Sequence, residues 1–157
     1  MKTLKPDTAL RDLGTVIGIG ILAGLAGTVA ITLSQTAEMS ITKRPPSTVP
    51  ADAVSKVLNV KPTEKRKKEI VSQEIHWTYG TAWGIPRGLF ALFGLRGWPA
   101  TLAHFVTIWA TGLVMLPKLN LAPPITEQDA PTIATDALHH AVYAIGTGLA
   151  YDAIDHK

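Results

Sequence analysis

The stretch from residue 13 to residue 37, LGTVIGIGILAGLAGTVAITLSQTA, carries no ionisable side chain and lies between Asp12 and Glu38. A helix needs about 20 mainly apolar residues to cross roughly 30 Å of hydrocarbon, so this stretch predicts a transmembrane helix. A second run, residues 97–117, contains His104 as its one ionisable group and predicts another. A cleaved signal peptide would have a shorter apolar centre of about 7–15 residues, which favours a helix that is retained.

Two further runs are less apolar. Residues 75–95 include His76 and Arg87, and residues 133–154 include two aspartates and two histidines. A soluble four-helix protein would place polar residues at every third or fourth position of each helix, and the runs 13–37 and 97–117 do not. We therefore predict an all-α, polytopic membrane protein in a single domain, 1–157, with four transmembrane helices at about 13–37, 75–95, 98–117 and 133–154.

The predicted connection between the first two helices, residues 38–74, is basic and contains the run Lys65-Arg66-Lys67-Lys68. Apolar residues within 50–60 recur at helical spacing, which predicts a short interfacial helix. The distribution of lysine and arginine favours this loop on the inner, cytoplasmic side of a multi-pass membrane protein. The basic run predicts contact with lipid headgroups rather than with nucleic acid, because no aromatic residues alternate with it.

Small residues follow a four-residue spacing in the second predicted helix, at Gly80, Gly84 and Gly88. This glycine-zipper pattern lets helix backbones approach closely in a membrane. The contact could lie within the chain or between chains, so a homo-oligomer or a subunit of a membrane complex is predicted. Pro86 removes a backbone hydrogen bond from the same helix, which predicts a kink and a carbonyl in need of another donor.

Ionisable and polar side chains inside the predicted helices form two sets of candidate site residues. An ionisable group within a membrane helix is costly and is a functional candidate for that reason. The direction of each helix places one set near the long loop and the other near the opposite membrane face. The first set is Glu38, His76, Asp136, His139 and His140, with Tyr143 continuing the polar stripe of the fourth helix, and the second set is Arg87 and His104.

These residues allow three functional hypotheses. In the first, a polar bundle interior conducts protons, ions or a small solute, since histidine titrates near neutral pH. In the second, His76, His139 and His140 hold haem or a metal ion in a membrane redox protein. In the third, the protein is a structural or accessory subunit that docks through its glycine faces, and the ionisable groups only join helices, as Glu38 with Arg44 would.

Motifs of soluble enzymes are missing from the sequence. It contains no phosphate-binding glycine loop, no Gly-x-Ser-x-Gly element and no His-Glu-x-x-His element, each of which carries a defined catalytic role. The chain has no cysteine, which excludes disulfide scaffolds and thiolate metal sites. We therefore predict a protein that is not an enzyme and has no resident cofactor, unless the histidines hold one.

Three short elements, in order, resemble the YagU-like family of bacterial inner-membrane proteins, whose function is poorly defined. The first helix ends in Ala37-Glu38-Met39, followed by Lys43-Arg44-Pro45-Pro46. The third helix leaves the membrane through the element from Pro117 to Pro124, and the fourth carries Asp136, His139, His140 and Tyr143. The resemblance implies a small polytopic inner-membrane protein and no particular catalytic mechanism.

Overall fold

The computed structural model describes residues 6–59 and 65–155, with side chains over 10–59 and 67–155. Within these ranges the chain is helical and has no strand, which confirms the predicted all-α class. The helices are α1 (Pro6–Thr42), α2 (Val49–Leu58), α3 (Lys65–Ala82), α4 (Gly84–Leu92), α5 (Gly97–Lys118) and α6 (Ala130–Ile154), with a 3₁₀ turn at Ile125–Glu127.

Helix α1 lies at the centre of the bundle. It packs along α6, α4 and α3, while α5 covers α6 and α2 covers α3. Gly80 faces Thr28 and Gly88 faces Val16, so α1 runs antiparallel to α3 and α4. We call the end where α1 finishes and α6 begins the loop end, and the end where α1 begins and α6 finishes the tail end.

Glycine brings the backbones of α1 and α4 into direct contact. A Cβ atom on Gly84 would lie 1.9 Å from the carbonyl oxygen of Gly20, and one on Gly88 would lie 2.1 Å from the carbonyl oxygen of Val16. Real Cβ atoms do not come so close, so only glycine permits this separation. The glycines of the second predicted helix therefore pack within the chain, whereas Gly14 and Gly18 of α1 have no atom within 4 Å of such a Cβ.

The second predicted helix, 75–95, is two helices that meet at Trp83. The interruption lies three residues before Pro86, which has no N–H to continue the helical ladder. Helix α3 also begins ten residues earlier than predicted, at Lys65, and α1 continues to Thr42. The connection predicted as 38–74 is therefore shorter, and helix α2 occupies its middle.

Helix α2 is fastened to its neighbours by polar contacts. The Ala51 N–H donates to Ser72 Oγ of α3 at 3.1 Å, and Asp52 Oδ1 lies 2.6 Å from Lys68 Nζ. At the end of α5, Lys56 Nζ donates to the carbonyl oxygen of Asn120 at 3.2 Å. The loop end of the bundle is thus held together through α2.

Two helices are long and apolar enough to cross a membrane, over Leu10–Thr42 and Gly97–Lys118. Only 33% and 22% of their most apolar stretches are buried in the protein, whereas the core helix of a soluble protein is mostly buried. The two other predicted spans correspond to α3 with α4, which is broken at Trp83, and to α6, which carries a polar inner face.

Candidate functional site

Four buried side chains with polar atoms follow one face of α6 at four-residue spacing: His139, Tyr143, Thr147 and Tyr151. We call them the polar row. Residues four apart lie one above the other on a helix, so the row runs from the loop end to the tail end. The face they share packs against α1 and α4. Each polar group in this interior needs a partner, because an unbonded polar group away from water is costly.

At the loop end, His139 is the first residue of the row, and it lies beside Ser34 and Glu38 of α1. His139 Nδ1 is hydrogen-bonded to Ser34 Oγ at 2.8 Å, and His139 Nε2 lies 3.9 Å from Glu38 Oε2. Glu38 in turn pairs with Arg44, whose Nη2 donates to Oε2 at 2.7 Å. An imidazole beside a carboxylate can take up or release a proton, and Arg44 stabilises that carboxylate in its ionised form.

Three other candidates at the loop end form separate contacts. His76 Nε2 is hydrogen-bonded to Thr32 Oγ1 at 3.0 Å. Asp136 Oδ2 accepts from Trp109 Nε1 at 2.9 Å, and His140 Nδ1 donates to the Asp136 carbonyl at 2.8 Å. These contacts join α1 to α3 and α5 to α6. Asp136 and His140 are only partly buried and lie beside the fully buried face of α6 that carries His139 and Tyr143.

Half-way along the row, Tyr143 and His104 meet at the break between α3 and α4. The Tyr143 hydroxyl donates to the carbonyl oxygen of Gly80 at 2.6 Å, and its ring centre lies 5.7 Å from that of His104. His104 Nε2 donates to the carbonyl oxygen of Trp83 at 2.7 Å. Pro86 has no N–H to donate to the carbonyl of Ala82 four residues earlier, whereas His104 donates to the carbonyl of the next residue, Trp83.

At the tail end, the fully buried Arg87 pairs with Asp152, whose side chain is 43% exposed. Arg87 Nη2 donates to Asp152 Oδ1 at 2.5 Å. The guanidinium carbon also lies 4.5 Å from the centre of the Tyr151 ring, a geometry in which the ring face attracts the cation. The sequence prediction included Arg87 but not Asp152. The only signal for Asp152 in the sequence was its position as the second acidic residue of the run 133–154.

Several buried polar atoms of the interior have no hydrogen-bond partner within the described chain. They are Arg87 Nε and Nη1, His104 Nδ1, His139 Nε2, Thr147 Oγ1 and the Tyr151 hydroxyl. With Nε2 donating to a carbonyl, neutral His104 presents Nδ1 as an acceptor, while Arg87 and Tyr151 present donors. Water molecules can join such groups, since each can accept from one and donate to another.

The described residues offer no set of three histidine or acidic side chains close enough to share a metal ion. Two pairs come near each other, His139 with Glu38 and His140 with Asp136. His76 lies apart from both, against Thr32. The hypothesis of haem or metal at His76, His139 and His140 stays a prediction.

Comparisons of the chain with models of known protein families, with curated proteins and with solved structures found no match. The resemblance to the YagU-like family therefore also stays a prediction.

Proposed function

We propose that this chain is a multi-pass integral membrane protein in which α1, α3 with α4, α5 and α6 form four spans. The two most apolar helices are mostly exposed, and large apolar side chains such as Leu33, Leu102 and Leu149 point outward. Soluble monomers rarely expose large contiguous apolar surfaces, whereas a bilayer covers them. This proposal includes an inner-membrane location, which the resemblance to the YagU-like family implies. It also places α2 and its flanking loops in the cytoplasm, which the distribution of lysine and arginine favours.

We further propose that the protein conducts protons along the polar row. The observation that carries this proposal is the row itself, which extends along α6 and meets polar groups of α1, α3, α4 and α5 on its way. Imidazole, hydroxyl and carboxylate groups all exchange protons with hydrogen-bonded neighbours. The row is buried, which leaves no wide channel along it and favours protons over hydrated ions or a larger solute.

Tyr143→Phe in sealed proteoliposomes tests this function. Proton entry, driven by a potassium diffusion potential and followed with a trapped pH-sensitive dye, should fall at least about tenfold, equivalent to about 1.4 kcal/mol of barrier. The substitution removes one hydroxyl and keeps the ring. Tyr79→Phe is the matched control, because Tyr79 lies half-exposed on α3 outside the row, and it should conduct as the wild type does. Equal flux in the two variants would contradict the proposal.

The two alternative hypotheses predict different results. A haem or metal protein would show a visible absorption band or stoichiometric metal that is lost in His139→Ala. An accessory subunit would show no flux, and its docking would depend on glycines that α1 and α4 leave uncovered, such as Gly14 and Gly18. In that subunit the row would only join helices, and Tyr143→Phe would alter stability alone.

A further inference from the structure

A cavity of about 60 Å³ lies between the beginning of α5 and the last turns of α6. Its wall includes Trp98 and Thr101 of α5 and Leu149 and Asp152 of α6. A Cβ atom on Gly148 would lie 2.2 Å from Thr101 Oγ1, so the two helices touch at the inner limit of the cavity. A space of this size holds water when polar groups line it, and here a carboxylate and a hydroxyl do.

The ion pair of Arg87 and Asp152 connects the wall of this cavity to the buried interior of the bundle. Asp152 lines the cavity and is 43% exposed, whereas the Arg87 side chain is 0% exposed. The unpartnered atoms Nε and Nη1 of Arg87 lie on the buried side. Asp152 is therefore accessible from the cavity, whereas Arg87 belongs to the polar interior.

We propose that this cavity is the aqueous entrance of the tail end, and that Asp152 exchanges protons with the water inside it. The inference rests on the proposed proton conduction and assigns the group at which the proton path meets water at the tail end. Asp152 is the one carboxylate on the cavity wall within the described chain, and it is paired with a buried cation. A half-exposed carboxylate in a membrane helix requires water beside it, and the cavity supplies the space.

The exchange is a simple transfer. Hydronium in the cavity gives its proton to the Asp152 carboxylate, which leaves water and a neutral carboxylic acid. The reverse transfer returns the proton to water and restores the ion pair, and the Arg87 guanidinium stays protonated throughout. A second charged pair near this end, Arg96 with Asp155, is joined at 2.7 Å, and the proposed transfer does not require it.

Silver-ion accessibility tests the entrance. The natural chain has no cysteine, so Thr101→Cys and Leu102→Cys each provide a single thiol, which binds Ag⁺ as the thiolate formed in water. In intact membranes, Ag⁺ should protect Thr101→Cys from later maleimide labelling at least tenfold faster than Leu102→Cys. Side-chain exposure in the absence of lipid would give the opposite order, since Thr101 is 7% and Leu102 is 63% exposed. In a membrane, lipid would cover Leu102.

Each result of the accessibility test has a distinct meaning. Slow protection of both thiols would show a dry cavity and overturn the entrance while leaving the membrane location intact. Faster protection of Leu102→Cys would contradict both the entrance and the membrane location, because that face of α5 would then be in water.

Proton flux tests the role of Asp152. Asp152→Asn should lower the flux at least tenfold and Asp152→Glu should restore part of it, whereas the matched variant Asp155→Asn should conduct as the wild type does. Wild-type flux in Asp152→Asn would overturn the inference and leave conduction along the row standing. If Asp152→Asn does not fold, Ag⁺ block of flux in Thr101→Cys supports the inference, and absence of block overturns it. No flux in the wild type would instead reject the proposed function itself.

Discussion

The side chain of His104 connects α5 to the break between α3 and α4 and to α6. It lies on α5, donates to the carbonyl oxygen of Trp83 between α3 and α4, and packs its ring beside Tyr143 of α6. The sequence supplied the reason for a donor at this place, because Pro86 disrupts the helical ladder nearby. It did not supply the donor, since a contact between residues 83 and 104 depends on how α5 is rotated.

Replacement of His104 by leucine should therefore destabilise the fold. His104→Leu removes the hydrogen bond to the partly buried Trp83 carbonyl, and the loss of such a bond costs about 0.5–1.5 kcal/mol. His140→Leu is the control, because His140 is partly exposed and contacts the carbonyl of Asp136 in its own helix. Thermal unfolding in detergent, followed by circular dichroism, should show a lower midpoint for His104→Leu alone. Equal midpoints would show that the hydrogen bond to Trp83 contributes nothing.

A single methyl group on Gly84 should have a comparable effect. Gly84→Ala places a Cβ against the backbone of Gly20, and overpacking of this kind costs about 1–3 kcal/mol. Gly18→Ala, with open space around its Cβ, should be neutral or stabilising, because alanine favours helix by about 1 kcal/mol. Thermal unfolding in detergent, measured in the same way, compares the midpoints of the two variants. A stable Gly84→Ala would mean that α1 and α4 lie further apart than described.

At the scale of the elements, apolar run length predicted α1 and α5 well, because a charge-free stretch depends only on composition. The start of α3 at Lys65 was not predicted, since the run Lys65-Arg66-Lys67-Lys68 has no apolar periodicity to indicate a helix. The short helix within the loop was predicted from its spacing, and α2 lies there. The rotation of α6 was not predicted, because residue spacing alone does not show which face packs against the neighbouring helices. Of the candidates on α6, His139 and Tyr143 lie on the fully buried face, whereas Asp136 and His140 are partly exposed.

The start of α6 depends on Asp129. Its Oδ1 accepts from the Thr132 N–H at 2.7 Å, and this hydrogen bond holds the pKa of Asp129 below its usual value. A lowered pKa in the folded state means that the stabilisation is present above the ordinary pKa of aspartate and is lost as pH falls through the lowered value. Loss of the cap leaves N–H groups of the first turn unsatisfied.

Hydrogen exchange of the first turn of α6 checks this expectation. Asp129→Ala should speed amide exchange around Thr132 at neutral pH, and Asp129→Ser, which keeps an accepting oxygen, should change it little. In the wild type, the rate of amide exchange around Thr132 should also rise at low pH, after correction for the intrinsic pH dependence of exchange. No difference between the alanine and serine variants would show that the cap does not hold this turn.

For the whole molecule, the arrangement of helices explains how so few charged side chains within long apolar helices are accommodated. Glu38 pairs with Arg44 at the loop end, as one hypothesis anticipated, and Arg87 pairs with Asp152 near the tail end. Polar side chains along α6 lie between the two pairs. The sequence placed these groups at two membrane faces from helix direction alone, whereas the partner of Arg87 emerged only from three-dimensional packing.

The most direct test of the account is the ion specificity of the wild-type protein in sealed proteoliposomes. A potassium diffusion potential should drive acidification of the vesicle interior well above that of protein-free vesicles, and replacement of sodium or chloride in the buffer should leave its rate unchanged. Acidification equal to that of protein-free vesicles, or a current that follows sodium or chloride, would contradict proton conduction along the polar row.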